Sequence, residues 1–248
     1  MFKERFGNVS DFTFVFSGDI DEESFVELCS YYLGTIKDSK IGKEEPVYEK
    51  YSFPAGVTQT VVKKGQEEKG QVFIGFGGTL PPAKDVYETY NDISLLEQFR
   101  ALVDIRLREI IREDKSGTYG VNVYTNLDGY PDRYYEFQIS FGCEPAREKE
   151  LVEEVIAALN TLRSETVDQS YIDKINESYR RSFESNQYNA NWWLEALNAI
   201  EVYGYMPLEA AYDDTTVIKA TTADSMKAMA NKYLNTSNYT VVYLEPEK

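Results

Sequence analysis

The order of strand-like and helix-like patterns most limits the folds open to this chain. Alternating apolar residues predict two pairs of strands, at about Val57–Lys63 with Gln71–Gly77 and at about Tyr119–Thr125 with Tyr135–Cys143. Apolar residues at three- and four-residue spacing predict one long helix over Val86–Arg112, between the two pairs. Strands that come in pairs and are separated by helices favour an α+β fold over a parallel α/β fold.

The turns and the two ends of the chain complete this pattern. A charged turn bounded by glycines, GQEEKG, predicts a hairpin between the first two strands, and Asp128-Gly129 predicts adjacent antiparallel strands in the second pair. Aromatic alternation at Asp11–Ser17 and at Asn238–Leu244 predicts an opening and a closing strand, and helical patterns fill most of residues 146–234. We predict one α+β domain over residues 1–248, with a mainly antiparallel sheet covered on one face by helices.

The composition excludes several classes of catalytic site. The 248 residues include no histidine, so Ser-His-Asp triads, Cys-His dyads and histidine-ligated zinc are impossible within this chain. Two cysteines are too few for a thiolate zinc site. We therefore predict no catalytic residue and no metal site in this chain, and no peptide hydrolysis by the chain alone. A carboxylate glycosidase is the weakest alternative, because acidic pairs such as Glu153 and Glu154 are typical of a solvated helix face.

The charge of the chain limits its partners. Lys and Arg number 26 and Asp and Glu number 42, which gives a net charge of −16. A surface this acidic repels phosphate backbones and anionic lipid headgroups, so we predict no nucleic-acid partner. No apolar run approaches the roughly 20 residues that cross a bilayer, and we predict no membrane insertion.

The segment LREIIREDKSGTYGVNV, residues 107–123, carries the most specific pattern. Taken alone, Arg112 is typical of a cation in the last turn of a helix, and Tyr119 of an aromatic residue in a strand. Their spacing, an Arg followed after six residues by Tyr-Gly, resembles the C-terminal half of the pitrilysin/insulinase family of zinc peptidases, which includes mitochondrial processing peptidase. The opening RFGNVSDFTFVFSGDIDEESFVELCSYYLGTI also resembles that family's recurrent strand and helix.

This resemblance implies a non-catalytic C-terminal-type domain that is a fragment of a larger multi-domain protein. A catalytic half with the H-x-x-E-H motif, in the same polypeptide or in a separate subunit, would hold the zinc, and the two halves would close around a peptide substrate. In this chain the implied substrate-binding residues are Arg112 and Tyr119, with no metal ligand and no cofactor of its own. The implied compartment is the bacterial periplasm or cell envelope. The alternative is a degenerate family member that acts as a structural or interaction scaffold.

Overall fold

The computed structural model of the chain describes residues 6, 9–10, 12–37, 52–114, 120–128 and 133–247. In chain order the helices and strands are α1 (Glu22–Tyr32), β1 (Val57–Lys63), β2 (Gly70–Leu80), α2 (Val86–Leu107), β3 (Val121–Leu127), β4 (Arg133–Cys143), α3 (Glu148–Ser164), α4 (Gln169–Asn186), α5 (Ala190–Leu197), α6 (Thr215–Ala220), α7 (Ala223–Tyr233) and β5 (Tyr239–Glu245). Two π-helical segments, Arg108–Asp114 and Asn198–Val202, continue α2 and α5.

The five strands form one sheet in the order β1-β5-β2-β4-β3. The β5–β2, β2–β4 and β4–β3 pairs are antiparallel, and only the pair of β1 with β5 is parallel. This confirms the predicted α+β fold with a mainly antiparallel sheet, with the difference that the sheet is mixed.

Helices cover one face of the sheet. Along β2 the side chains of Val72, Ile74 and Phe76 are buried, while Gln71, just before them, and Phe73, between the first two, are exposed. The buried face packs against α2, α3 and α7 through one apolar cluster that includes Phe99, Leu151 and Tyr233, among others. Strand side chains alternate between the two faces of a sheet, so the buried residues all lie on the helix-covered side.

The predicted hairpin between β1 and β2 is wrong. Both strands form where the sequence places them, but β5 lies between them, parallel to β1 and antiparallel to β2. The turn sequence predicts only that the chain reverses direction after Lys63. It does not predict which strand pairs with β2. Val241 of β5 is fully buried there, so the apolar character of the closing strand suits it to this interior position of the sheet.

The predicted hairpin in the second strand pair is confirmed. β3 and β4 are antiparallel neighbours in which Val121 lies opposite Phe141 and Leu127 opposite Tyr135. The backbone N–H of Asp128 donates to the carbonyl oxygen of Tyr134 at 2.9 Å, which closes the strand pair beside the turn.

The predicted opening strand at Asp11–Ser17 is wrong for the part of it that the structure describes. Residues 12–17 belong to no strand, and Asp11 lies outside the described residues. The helix that follows, α1, is capped by the side chain of Asp21, which accepts from the N–H of Ser24 at 3.0 Å, and it has no buried residue. Alternation alone does not make a strand, because a strand needs a neighbour for its backbone hydrogen bonds.

The helices show no sign of a membrane-spanning segment. Within the described ranges, none of them is both long enough and apolar enough to cross a bilayer.

Candidate functional site

The two residues predicted to bind substrate lie at the junction between the long helix and the edge strand. Arg112 is in the π-helical segment Arg108–Asp114, and Tyr119 precedes β3 by two residues. The side chain of Arg112 and all of Tyr119 lie outside the described residues. The substrate-binding role of Arg112 and Tyr119 therefore stays a prediction.

The backbone on both sides of this junction is held by the core. Leu107 and Ile111, one turn apart, are both fully buried, and Val121 at the start of β3 is buried against the same cluster. Segments of π-helix interrupt an α-helix at some cost in hydrogen bonding and are frequent at functional sites. Buried residues on each side fix where the connection between Asp114 and Val121 starts and ends.

The strand that follows the junction forms an edge of the sheet. Within the described residues, β3 pairs with β4 and with no other strand. An edge strand presents backbone N–H and C=O groups to its outer side, where an extended peptide can pair with them. The side chain of Tyr124, in the middle of β3, is exposed on the open face of the sheet.

A polar cluster that the sequence analysis missed lies on the last turn of α2. The Arg106 guanidinium donates to Glu109 Oε2 at 3.0 Å, and the Tyr171 hydroxyl donates to the same oxygen at 2.7 Å. The Arg106 guanidinium also lies 5.0 Å from the centre of the Tyr171 ring. The hydrogen bond to Glu109 raises the pKa of Tyr171. The three side chains are hydrogen-bonded to one another and join α2 to α4, so they hold the helix end in place.

Three charged residues from distant parts of the chain meet inside the fold. Asp92 of α2 accepts from the guanidinium of Arg133 and, at 2.6 Å, from the ammonium of Lys232. Arg133 also donates to the carbonyl oxygen of Pro81 at 3.0 Å. Asp92 and Arg133 are both buried, so they are closed to a peptide substrate and serve to fasten β4 and α7 to α2.

A second buried carboxyl lies where α3 begins. Glu148 is 2% exposed, and no atom of the described residues forms a hydrogen bond with its Oε1. Burial, together with the negative charge of Glu245, raises the pKa of Glu148 to about 7. Burial also raises the pKa of the neighbouring Cys143 thiol to about 11, which makes this cysteine a poor nucleophile.

The helical half of the chain contains an aromatic hollow of about 270 Å³. Its walls come from α2, α4 and α5 and from the segment after α5, with side chains that include Tyr90, Tyr179, Phe183, Trp192, Tyr205 and Met206. Burial raises the pKa of Tyr179, so its phenol stays neutral and can donate a hydrogen bond. The hollow has the chemistry to hold an apolar group.

Nothing in the described part of the chain can hold a metal ion by clustered side chains. No group of three or more Asp, Glu, Cys or His residues comes together there. Zinc in proteins is bound mainly by imidazole and thiolate ligands, and this chain has no histidine and two cysteines that are not bonded to each other. The residues present therefore do not fit a zinc site.

Comparisons with known proteins agree with this fold. Residues 2–179 match the family described as the peptidase M16 inactive domain. The chain is 29% identical over 253 residues to the probable zinc protease PqqL of Haemophilus influenzae, covering 95% of this chain and 24% of that protein. The structure of the periplasmic protease PqqL from Escherichia coli superposes with a TM-score of 0.71 at 20% identity, over 92% of this chain and 24% of that one.

A separate structure, of the first half of that protease, also resembles this fold. The structure of the first half of the Escherichia coli periplasmic protease PqqL superposes with a TM-score of 0.70 at 12% identity, over 93% of this chain and 50% of that one. The chain spans about a quarter of the length of the curated relatives that it matches.

Proposed function

The chain belongs to the peptidase M16 inactive-domain family, and from that premise we propose that it is the non-catalytic, substrate-binding and closing domain of a zinc-dependent metallopeptidase that cleaves peptides. The observation that carries the proposal is the complete lack of histidine in a chain whose relatives are named zinc proteases. A domain that has this fold but no metal ligands contributes to the reaction by binding the substrate and by closing over it. The chain by itself hydrolyses no peptide.

The catalytic zinc belongs to a partner half, in the same polypeptide or in a separate subunit. The match to only a quarter of the relatives' length supports a larger parent protein. We place that protein in the bacterial periplasm, because the PqqL protease of Escherichia coli is described as periplasmic. Zinc held by the partner half would supply Lewis-acid chemistry for peptide hydrolysis, with no ligand from this chain.

Arg112 and Tyr119 are the residues of this chain that we propose contact substrate. A guanidinium donates charge-assisted hydrogen bonds to a peptide carbonyl, and a phenol can donate to the oxyanion that forms in the transition state. Arg112 lies two residues before the connection from Asp114 to Val121 and Tyr119 lies within it in sequence, and Ile111 and Val121 on either side are buried in the core.

The edge strand β3 supports the same role. Its outer edge is free within the described residues, and it begins directly after this connection. Tyr119 precedes β3 by two residues in sequence, so we propose that backbone pairing along β3 and hydroxyl donation by Tyr119 act on one extended substrate. This arrangement requires no side-chain specificity and suits an enzyme that accepts unfolded peptides.

Deleting one hydroxyl tests the proposal in the enzyme reconstituted with its catalytic half. Tyr119→Phe keeps the ring and removes the donor, and we expect kcat on a fluorogenic peptide to fall by about 10²-fold. Tyr188→Phe, the same change at a tyrosine that is 93% exposed at the end of α4, is the matched control and keeps wild-type kcat.

Arg112→Ala is expected to lower kcat/KM for the same peptide, because it removes the guanidinium donor. Arg181→Ala, at an exposed arginine of α4, is its control. Both sets of variants keep the thermal unfolding midpoint of the wild type if they act on substrate. Wild-type turnover in the Tyr119→Phe enzyme would reject the role in catalysis and favour the structural scaffold.

A further inference from the structure

The aromatic hollow has a carboxylate on its wall. Glu195, one helical turn after Trp192 on α5, lines the hollow together with the aromatic rings and is exposed to solvent. Within the described residues, the carboxylate of Glu195 has no ion-pair or hydrogen-bond partner. No lysine or arginine of the described part of the chain is among the lining residues. The hollow therefore combines ring surfaces with one negative charge that has no counterion from the chain itself.

The turn after α5 forms one wall of the hollow. The π-helical segment Asn198–Val202 ends the helix, and Gly204 follows with a φ of +66°, a conformation that glycine adopts without strain. The N–H of Tyr205 then donates to the carbonyl oxygen of Ala199 at 3.0 Å, so the chain folds back over the end of its own helix. This return places Tyr205 on the wall of the hollow, beside the buried side chain of Ala199.

Two of the rings are held by partners of their own. The Trp192 ring lies edge-on to Phe183, with ring centres 5.9 Å apart, and edge-on to Trp193, at 5.0 Å. The Tyr205 ring is stacked on Tyr203 at 5.7 Å, with 16° between the ring planes. Rings that are already positioned lose little conformational freedom when a ligand binds, so less of the binding free energy is spent on ordering them.

The negative charge is concentrated on the Glu195 side of the hollow. Burial raises the pKa of Tyr205, and the charges of Glu195 and Asp128 add to that rise, so both carboxylates act on this wall. Asp214, near the α4 wall, is partly offset by Arg180, whose Nε lies 3.9 Å from it. A bound cation would therefore be attracted most strongly toward Glu195.

An arginine side chain matches these features. Its planar guanidinium stacks on aromatic faces, is only weakly hydrated, and donates two parallel hydrogen bonds to a carboxylate. Its aliphatic stem packs on apolar surface. The volume of about 270 Å³ is below the roughly 300–1,000 Å³ of pockets that hold drug-sized ligands, and it suits a single side chain. We propose that the hollow binds one arginine side chain of the peptide substrate, with Glu195 as its counterion and Trp192 and Tyr205 as ring contacts.

The position of the hollow favours a peptide as the source of this arginine. Asp128 directly follows Leu127, the last residue of β3, and its charge acts on Tyr205, so the hollow lies near that end of the edge strand. Backbone pairing along β3 is indifferent to side chains, and the hollow adds a preference for a basic one. That the peptide is the substrate rests on the proposed function, whereas capture of the arginine involves neither Arg112 nor Tyr119.

Peptide binding to the full chain tests the hollow without any catalysis. The peptide acetyl-GSGRGSG-amide, or the same peptide with citrulline in place of arginine, is titrated into the ¹⁵N-labelled chain. Dissociation constants come from the shifts of the Ala199 and Tyr205 amide signals. Citrulline has nearly the shape of arginine but no charge, and we expect the arginine peptide to bind at least about tenfold more tightly. Equal binding of the two peptides, or binding of neither, would overturn the proposal.

Substitutions in the chain locate the bound arginine. Glu195→Gln should weaken binding of the arginine peptide by about tenfold. Glu201→Gln, the same change of charge at an exposed position of the π-helical segment, is its control. Trp192→Leu should weaken binding by about fivefold, and Tyr188→Leu, at an exposed tyrosine outside the hollow, should have no effect. The same spectra report whether each variant is folded, and the exposed Glu195 can be changed without disturbing the core. Equal weakening by Glu195→Gln and Glu201→Gln would mean that only the net charge of the chain attracts the peptide, and would overturn the proposal.

Kinetics in the reconstituted enzyme test whether the bound peptide is the substrate. Glu195→Gln should raise KM about tenfold for a fluorogenic peptide with one arginine and should not raise it for the citrulline counterpart. Tyr119→Phe is expected to lower kcat for both peptides alike, so either proposal can fail while the other stands. An unchanged KM for the arginine peptide in the Glu195→Gln enzyme would overturn the assignment of this arginine to the substrate.

Discussion

The buried carboxyl of Glu148 should make the stability of this domain depend on pH. The side chain is 2% exposed at the start of α3, and its Oε1 has no hydrogen-bond partner within the described residues. A side chain larger than hydrogen at Gly70 would overlap this oxygen, so the carboxyl lies tightly against β2. Replacing it by the amide of the same shape, Glu148→Gln, removes the charge and little else.

The size of the effect follows from the pKa of Glu148. Its value rises from the ordinary 4.5 to about 7 in the folded protein, chiefly because burial disfavours the charged form. The folded state therefore binds more protons than the unfolded state between these values, and stability falls as the pH rises through that window. Each pKa unit corresponds to about 1.4 kcal/mol, which sets a ceiling of about 3.4 kcal/mol above pH 7. Because water and nearby groups relax around a real buried charge, we expect about 1–3 kcal/mol.

The assay is urea unfolding of the wild type and of Glu148→Gln at pH 5, 6, 7 and 8. The variant should be more stable than the wild type by about 1–3 kcal/mol at pH 8, and the difference should shrink toward pH 5. Glu153→Gln, on the exposed side of the same helix, is the control and should change stability by less than about 0.5 kcal/mol at every pH.

Two results would refute this reasoning. In one, Glu148→Gln is no more stable than the wild type at pH 8, which would mean that the folded protein stabilises the carboxylate after all. In the other, the difference between the two proteins is the same at pH 5 and pH 8. A constant difference would come from packing or from the amide hydrogens and would be independent of the charge.

Other predictions concern the interior charges, the helix end and the metal. Asp92→Ala leaves Arg133 buried without its carboxylate and should cost about 3–5 kcal/mol in urea unfolding, whereas Asp104→Ala, in an exposed pair on the same helix, should cost less than about 1 kcal/mol. Tyr171→Phe removes a hydroxyl that donates to Glu109 at 2.7 Å and should cost about 1 kcal/mol; an unchanged midpoint would mean that water replaces this bond without loss. The purified, tag-free chain should contain no stoichiometric zinc by atomic emission and should show no chelator-sensitive peptidase activity, and finding both would contradict the assignment of zinc to a partner half.

The sequence by itself determined the local structure and the limits on chemistry. Apart from the opening strand, period-two and period-3.6 patterns place the strands and helices within a few residues of their observed ends, because the side-chain direction of each residue depends on its immediate neighbours. The β3–β4 hairpin follows from the Asp128-Gly129 turn for the same reason. The absence of histidine settles the lack of a triad or an imidazole zinc site without any structure.

The tertiary structure decided what depends on residues far apart in the chain. β5 lies beside β1, although 182 residues separate Thr58 from Thr240, and no turn signal can report such a pairing. The ion cluster joins Asp92 to Lys232 across 140 residues. The unpaired Oε1 of Glu148 likewise lies against Gly70, a residue far from it in the sequence. Local patterns state that a segment can be a strand. The strand that it pairs with is set by the burial and hydrogen bonding of the whole sheet. For this reason the alternating side chains of residues 12–16 are exposed, whereas those of residues 239–243 pack against the core.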